Sequence, residues 1–281
     1  MTGPGQQQRP PGAGGPANWG DLGRRLLSGA VLAVLGLALV LSTGLWLRIG
    51  VTIVIALLMW ELARLTGHGH PQLRAPRRPA LIGGFSGLVM LAMLQLPGDW
   101  PLLLAALPVA LGWSGTQPQE RRAWLLFTLA ILGAGYALVV LRETMGLATL
   151  LWIVATVVAS DVLGYFVGRR LGGPRFWPAI SPKKTWSGTI AGWLGALALA
   201  LGLWLAGLAG AGVILAGPLL AVAGQFGDIA ESWLKRRVGV KDSSDLIPGH
   251  GGAMDRFDAM SGALLMALVL LLVNLLPRIG G

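Results

Sequence analysis

The chain has 281 residues, of which 54% are hydrophobic and only 12% charged, about half the charged share of an ordinary soluble domain. It has no cysteine, which excludes disulfides, thiolate metal sites and cysteine nucleophiles. The net charge of +10 suggests nucleic acid, but the basic residues flank apolar runs, where they are first an orientation signal; no nucleic-acid partner is expected.

Residues 1–20, MTGPGQQQRPPGAGGPANWG, hold almost no hydrophobic side chains and are expected to be a disordered tail. The first apolar run follows Arg24-Arg25 and reaches about Leu47. It is too long for a signal-peptide core and no A-x-A-like site follows it, so it reads as a retained span. In chain order the candidate spans are 26–47, 49–65, 80–96, 100–114, 123–141, 145–167, 187–207, 211–230 and 258–276. Runs of roughly 18–22 apolar residues cover a bilayer core of about 30 Å. The fourth is short and carries Pro108. The runs are continuous in Leu, Ala and Val without a period of two, which argues against a β-barrel. The expected fold is all-α, a polytopic integral membrane protein with about nine transmembrane helices. Its organisation is a tail (1–20), a first group of helices (21–144) and a catalytic membrane region (145–281) with loops at 168–186 and 231–257.

Charge tests the count. With nine spans, the N-terminal tail and the loops after spans 2, 4, 6 and 8 share one side and hold 19 of the 22 Lys and Arg residues. Arg48, Arg142 and Arg278 fall on the other side. The positive-inside rule puts the basic side in the cytoplasm.

Acidic residues carry the sharpest chemical signal. Asp161 lies near the end of span 6, Asp228 and Glu231 near the end of span 8, and Asp255 and Asp258 at the start of span 9. Carboxylates so close to hydrocarbon cost a few kcal/mol on insertion scales, so they face a polar cavity or a partner. Asp228, Glu231, Ser232 and Lys235 follow i, i+3, i+4, i+7 and share one helical face. Hard carboxylate oxygens suit Mg²⁺, and Lys183, Lys184, Lys235, Arg236, Lys241 and Arg256 suit phosphates. Acids for metal and bases for phosphate on one surface imply phosphoryl or nucleotidyl transfer. The loop ISPKKTWSG adds the hydroxyls of Ser181 and Thr185 and leads into span 7, whose N-terminal amides could meet an anion. There is no GxxxxGK[ST] loop, and the GxxxG pairs Gly83–Gly87 and Gly188–Gly192 read as close helix packing. His68-Gly-His70 lacks a third metal ligand, and the twelve Trp residues sit mostly near span ends. A transporter would also place charge within helices, but usually at mid-membrane in broken helices.

The segment SWLKRRVGVKDSSDLIPGHGGAMDRFD resembles the C-terminal signature of the phosphatidate cytidylyltransferase (CDP-diacylglycerol synthase) family. The pattern is met by Ser232, Lys235, Arg236, Lys241, Asp242, Pro248, His250, Gly251, Gly252, Asp255, Arg256 and Asp258. SDVLGYFVGRRLG and ISPKKTWSG are also similar to the family's segments, so the resemblance covers about residues 155–262. The chain departs at Ala253, Gly164 and Ser187, the last standing where many members have Glu.

The resemblance implies the reaction CTP + phosphatidate → CDP-diacylglycerol + pyrophosphate, with Mg²⁺, at the cytoplasmic face of a bacterial inner membrane. A second, monovalent cation is left open. It further implies a homodimer among membrane lipid and a metal held by Asp228 and Asp255. Lys241 and Asp161 are further candidate catalytic groups. The candidate substrate-binding set is Lys183, Lys184, Ser181, Thr185, Lys235, Arg236, Asp242, His250, Gly251, Gly252, Arg256 and Asp258. The competing enzyme reading is a CTP-dependent polyprenol or dolichol kinase, which would release CDP.

Overall fold

A computed structural model of the chain describes residues 19–67, 77–97, 100–247 and 249–280. Residues 1–18 of the expected tail, the His68-Gly-His70 loop and Pro248 lie outside them. Ten α-helices follow in order: α1 (Trp19–Leu41), α2 (Gly44–Thr66), α3 (Arg77–Gln95), α4 (Trp100–Leu104), α5 (Ala106–Trp113), α6 (Arg121–Thr144), α7 (Gly146–Leu171), α8 (Trp186–Leu205), α9 (Gly212–Arg237) and α10 (Met254–Leu272), among the described residues. A 3₁₀ turn at Pro118–Glu120 precedes α6. A short antiparallel hairpin, β1 (Arg175–Trp177) with β2 (Ser181–Thr185), stands between α7 and α8.

Helix is the expected outcome for such segments, because lipid offers backbone N–H and C=O groups no partners and a helix satisfies them internally. Among the described residues, six helices (α2, α3, α6 with its preceding turn, α7, α8 and α9) are long and apolar enough to cross a membrane. The apolar part of α1 is shorter, Leu26–Leu41, and α10 opens with the charged residues Asp255, Arg256 and Asp258. The protein is an all-α, multi-pass membrane protein, with one small β-hairpin added to the expected architecture.

The fourth expected span is two short helices rather than one. Pro108 has no N–H to give to Leu104, four residues earlier, and its ring crowds that carbonyl. The helix breaks there, leaving α4 with 5 residues and α5 with 8. The broken pair still carries the chain back to the end from which α3 began. Gln117 N donates to Thr66 O at the end of α2 (3.4 Å), and Glu120 pairs with Arg237 at the end of α9 (2.8 Å). The three outlying arginines gather at the opposite end. Arg48 grips Glu143 (3.0 Å) and Gln95, Arg142 donates to Val40 O, and Arg278 donates to Thr144 O. The alternation of ends deduced from charge therefore holds.

Between apolar helices in lipid there is little hydrophobic driving force, so close backbone approach matters more. The dominant pairs are α2 with α3, α7 with α8, and α9 with α10. Each is seamed by glycine. A Cβ on Gly83 would lie 2.5 Å from Ala56 O, one on Gly188 2.4 Å from Gly164 O, and one on Gly227 2.3 Å from Asp258 O. The last contact draws the Asp228 and Asp258 regions of α9 and α10 together.

Candidate active site

The basic end of the bundle gathers α7, α9, α10, β2 and the connection 238–253. Helix α9 ends in Lys235, Arg236 and Arg237, cations that complement the helix dipole. Gly239 (φ +78°) then closes a Schellman motif, its N–H donating to Arg236 O and that of Val240 to Lys235 O. The connection folds back through a tight turn at 247–251: His250 N donates to Ile247 O, Ile247 N to Gly251 O, and Gly251 has φ +81°.

Two lysines each hold a carboxylate. Lys184 on β2 forms an ion pair with Asp228 on α9, and Asp161 on α7 is an electrostatic neighbour of both. Lys235 on α9 reaches Asp255 Oδ1 (2.5 Å) and Glu231 Oε1 (3.4 Å). Asp258 links the groups, lying in the fields of Asp228 and Lys235 and acting in turn on Glu231. The acids thus converge, as their positions near the span ends implied. Ser232 donates to Asp228 Oδ1 at 3.5 Å, in keeping with the shared helical face.

Asp255 is the most heavily engaged of these acids. Besides Lys235 it accepts, on Oδ2, the Ser243 amide (2.9 Å), the Ser243 hydroxyl (2.9 Å) and the Gly252 amide (2.7 Å). It sits in the first turn of α10, ahead of the apolar run. Burial alone would raise its pKa, but the Lys235 ammonium and the two amides outweigh burial and hold the carboxyl below its ordinary range.

The sequence reading gave no role to Glu61, in the middle of the apolar run LLMWELARL of α2. It is fully buried. Oε1 accepts from Ser244 Oγ (2.5 Å) and Ala253 N (2.8 Å), and Oε2 from Ser243 Oγ (3.0 Å) and Met254 N (2.7 Å). Helix α10 has no side-chain cap of its own, so this acid from another helix satisfies its first amides. The signal available in the sequence was a lone acid inside a membrane-length apolar run. Glu231, which the i+3 spacing had placed on the right face without a role, is 2% exposed and neighbours Lys235 and Asp258.

Other candidates take different places. A cavity of 340 Å³ is lined by Lys241, Asp242, Asp245, Ile247, Gly249, His250, Gly251 and Arg256. Arg256 donates to His250 O (2.7 Å), and His250 Nδ1 hydrogen-bonds Ser28 Oγ of α1 (2.8 Å). Arg236 is exposed and donates to Val240 O. Gly252 has no room for a side chain, since a Cβ would lie 2.0 Å from Ser243 Oγ and 2.4 Å from Glu61 Oε1. Thr185 is buried as the N-cap of α8, accepting from Gly188 N at 3.2 Å, and the Trp186 amide is taken by Pro174 O. The start of α8 is therefore largely satisfied from within. Ser187, at the departure from the family pattern, donates to Gly172 O. Lys183 is exposed and Ser181 half-buried on β2, outside the carboxylate cluster.

The sequence model of the cytidylyltransferase family matches residues 23–275, nearly the whole chain and every element of this site. The chain belongs to the cytidylyltransferase family. Among its relatives, the phosphatidate cytidylyltransferase of Staphylococcus aureus (strain COL) is 30% identical over 268 residues, 88% of this chain and 98% of that protein. The phosphatidate cytidylyltransferase of Staphylococcus haemolyticus is 31% identical over 212 residues, 68% of this chain and 79% of the relative. That of Brucella abortus (biovar 1, strain 9-941) is 44% identical over 155 residues, 53% of this chain and 57% of that protein. The chain thus spans little more than half the length of its Brucella relatives. For this cytidylyltransferase family member, the donors gathered at the basic end are hard carboxylate oxygens and ammonium groups, a set suited to phosphates and a hard cation.

Among the described residues no group of three or more acids or histidines surrounds a single point. Asp228 and Asp255, one carboxylate each from α9 and α10, are hard oxygen donors of the kind of which Mg²⁺ takes one or two.

Proposed function

We propose that the chain is a CTP:phosphatidate cytidylyltransferase, forming CDP-diacylglycerol and pyrophosphate at the cytoplasmic face of a bacterial inner membrane. The observation that carries this reading is the pairing of Lys184 with Asp228 and Lys235 with Asp255 beside a mixed-charge cavity, all at the basic end of the bundle. The excess of Lys and Arg at that end supports its cytoplasmic placement. The active enzyme is a homodimer in this reading.

Chemically, an oxygen of the phosphatidate phosphate attacks the α-phosphorus of CTP. The bond from that phosphorus to the β-bridging oxygen breaks, and pyrophosphate leaves with the electron pair. The attacking phosphate is already anionic, so no strong base is needed; the task is to hold two polyanions together and in line. Lys241 and Arg256 line the cavity and suit the CTP phosphates, while Asp242 and His250 line it as candidates for the rest of the nucleotide. Lys184 and Lys235 hold Asp228 and Asp255 in place through their ion pairs. Lys183, Ser181 and Arg236, outside the carboxylate cluster, are the candidates for the lipid phosphate. Val162, Tyr165, Phe166 and Phe226, close in sequence to Asp161 and Asp228, are exposed apolar side chains. A lipid can thus bring its headgroup to the acids while its acyl chains stay in the bilayer. Asp228 and Asp255 are the residues that would hold Mg²⁺, which when bound supplies charge neutralisation for the phosphates.

The test is the purified full-length protein in lipid–detergent micelles with labelled CTP, phosphatidate and Mg²⁺. Label should enter lipid with release of pyrophosphate, and Asp228→Asn and Asp255→Asn should each lower the rate by about 100-fold or more. Release of CDP in place of pyrophosphate would instead identify a lipid kinase. No CTP-dependent lipid product at all would refute the enzyme.

A further inference from the structure

Glu61 ties the first half of the chain to the site in the second. Its four hydrogen-bond donors lie 182 to 193 residues away in sequence, and it accepts from all of them while fully buried. Two are the backbone amides of Ala253 and Met254, immediately before Asp255. A third, the Ser243 hydroxyl, has one hydrogen and two carboxylate oxygens within reach: Glu61 Oε2 at 3.0 Å and Asp255 Oδ2 at 2.9 Å. Gly252 packs against the Glu61 carboxylate so closely that a Cβ there would strike it. Glu61 therefore fixes the start of α10, and through Ser243 it bears directly on Asp255.

We infer that Glu61 is a positioning residue for nucleotide transfer, setting Asp255 and the 243–253 connection that walls the CTP cavity. The inference rests on the function proposed above. A carboxylate is required at this position because both of its oxygens must accept. Oε1 faces a serine hydroxyl and a backbone N–H, and so does Oε2. A glutamine in either orientation turns its NH₂ toward one backbone N–H. The serine can rotate to accept, but the amide cannot. One backbone bond is lost and two donors are set against each other at the base of Asp255.

The test uses full-length Glu61→Gln and Ser243→Ala in lipid–detergent micelles, with steady-state kinetics and hydrogen exchange. Folded Glu61→Gln should lose about 10-fold or more in kcat/KM for CTP, while KM for phosphatidate stays within about twofold of wild type. Exchange should quicken in peptides covering 241–254 and stay unchanged in α6. Ser243→Ala, which removes only the shared hydroxyl, should show the same split at smaller amplitude and carries the test if Glu61→Gln does not fold. Wild-type kinetics for both substrates in a folded variant, or faster exchange spread evenly through the bundle, would overturn the role. A wild-type protein without transfer activity would remove the proposed reaction, while the exchange pattern would still decide whether Glu61 holds α10.

Discussion

Replacing Lys235 with methionine tests the electrostatics of the site most directly. The Lys235 side chain is 11% exposed and lies between Asp255 (7%) and Glu231 (2%), so solvent screens the triad little. Removing one member of a buried ion pair costs about 3–5 kcal/mol, chiefly because the charge left behind has no compensation. The two acids are not equally exposed to that loss. Glu231 has Asp258 as a neighbour as well as Lys235, whereas Asp255 loses the ammonium at 2.5 Å that balances its charge and keeps its three hydrogen-bond donors. The cost therefore falls mainly on Asp255, and because those donors remain, about 3 kcal/mol, the low end, is expected for Lys235→Met. It follows that Lys235→Met with Asp255→Asn should regain about 2 kcal/mol of that loss, a coupling normal for residues in contact. Unfolding in mixed micelles with rising SDS fraction, followed by tryptophan fluorescence, measures both. A single variant as stable as wild type, or a double variant no better than the single, would refute the assignment of the cost to Asp255.

Gly252→Ala should cost at least as much as an overpacked core position, about 1–3 kcal/mol, and should disturb CTP use before phosphatidate use; stability and the two KM values check it. Lys241 makes no side-chain hydrogen bond or ion pair among the described residues, so Lys241→Ala should weaken CTP use with less than about 0.5 kcal/mol of stability change, read from turnover and melting. Arg237→Ala leaves Glu120, which is 5% exposed, without its cation; a loss of about 1–3 kcal/mol is expected with normal turnover per folded molecule. Asp255 has a folded pKa below its ordinary 3.8, so its stabilisation is complete above that value and is lost as pH falls through the folded pKa. Asp255→Asn should flatten the acid limb of stability measured against pH.

What could be read from the sequence was what local spacing encodes. The i, i+3, i+4, i+7 row from Asp228 to Lys235 needed only the helical period, and the Lys235–Glu231 contact follows from it. The sorting of arginines to two ends needed only the membrane, and Arg48, Arg142 and Arg278 do share an end. The hairpin of β1 and β2 escaped because three- and five-residue strands rich in Lys, Arg and Trp carry no alternation to detect. Helix α9 runs to Arg237, beyond the expected end at 230, because cations extend a helix's last turn at no cost to its dipole. Glu61 escaped for a different reason: every one of its partners is remote in sequence, and no periodicity reports a contact of that kind. The pairing of lysines with acids was also hidden. Lys184 and Lys235, read as phosphate ligands, are engaged with carboxylates in the structure.

The Glu61 contact also sets an order of events during biosynthesis. At about 5–20 residues per second, the ribosome needs roughly 10–40 s to travel from this acid to the amides 192 residues later that it will cap. For that interval an apolar span carries a carboxylate whose hydrogen-bond donors do not yet exist. It must wait at the headgroup level until α10 arrives. Helix α10 is thus what lets α2 settle, and the bundle cannot reach its final packing before that helix has been made.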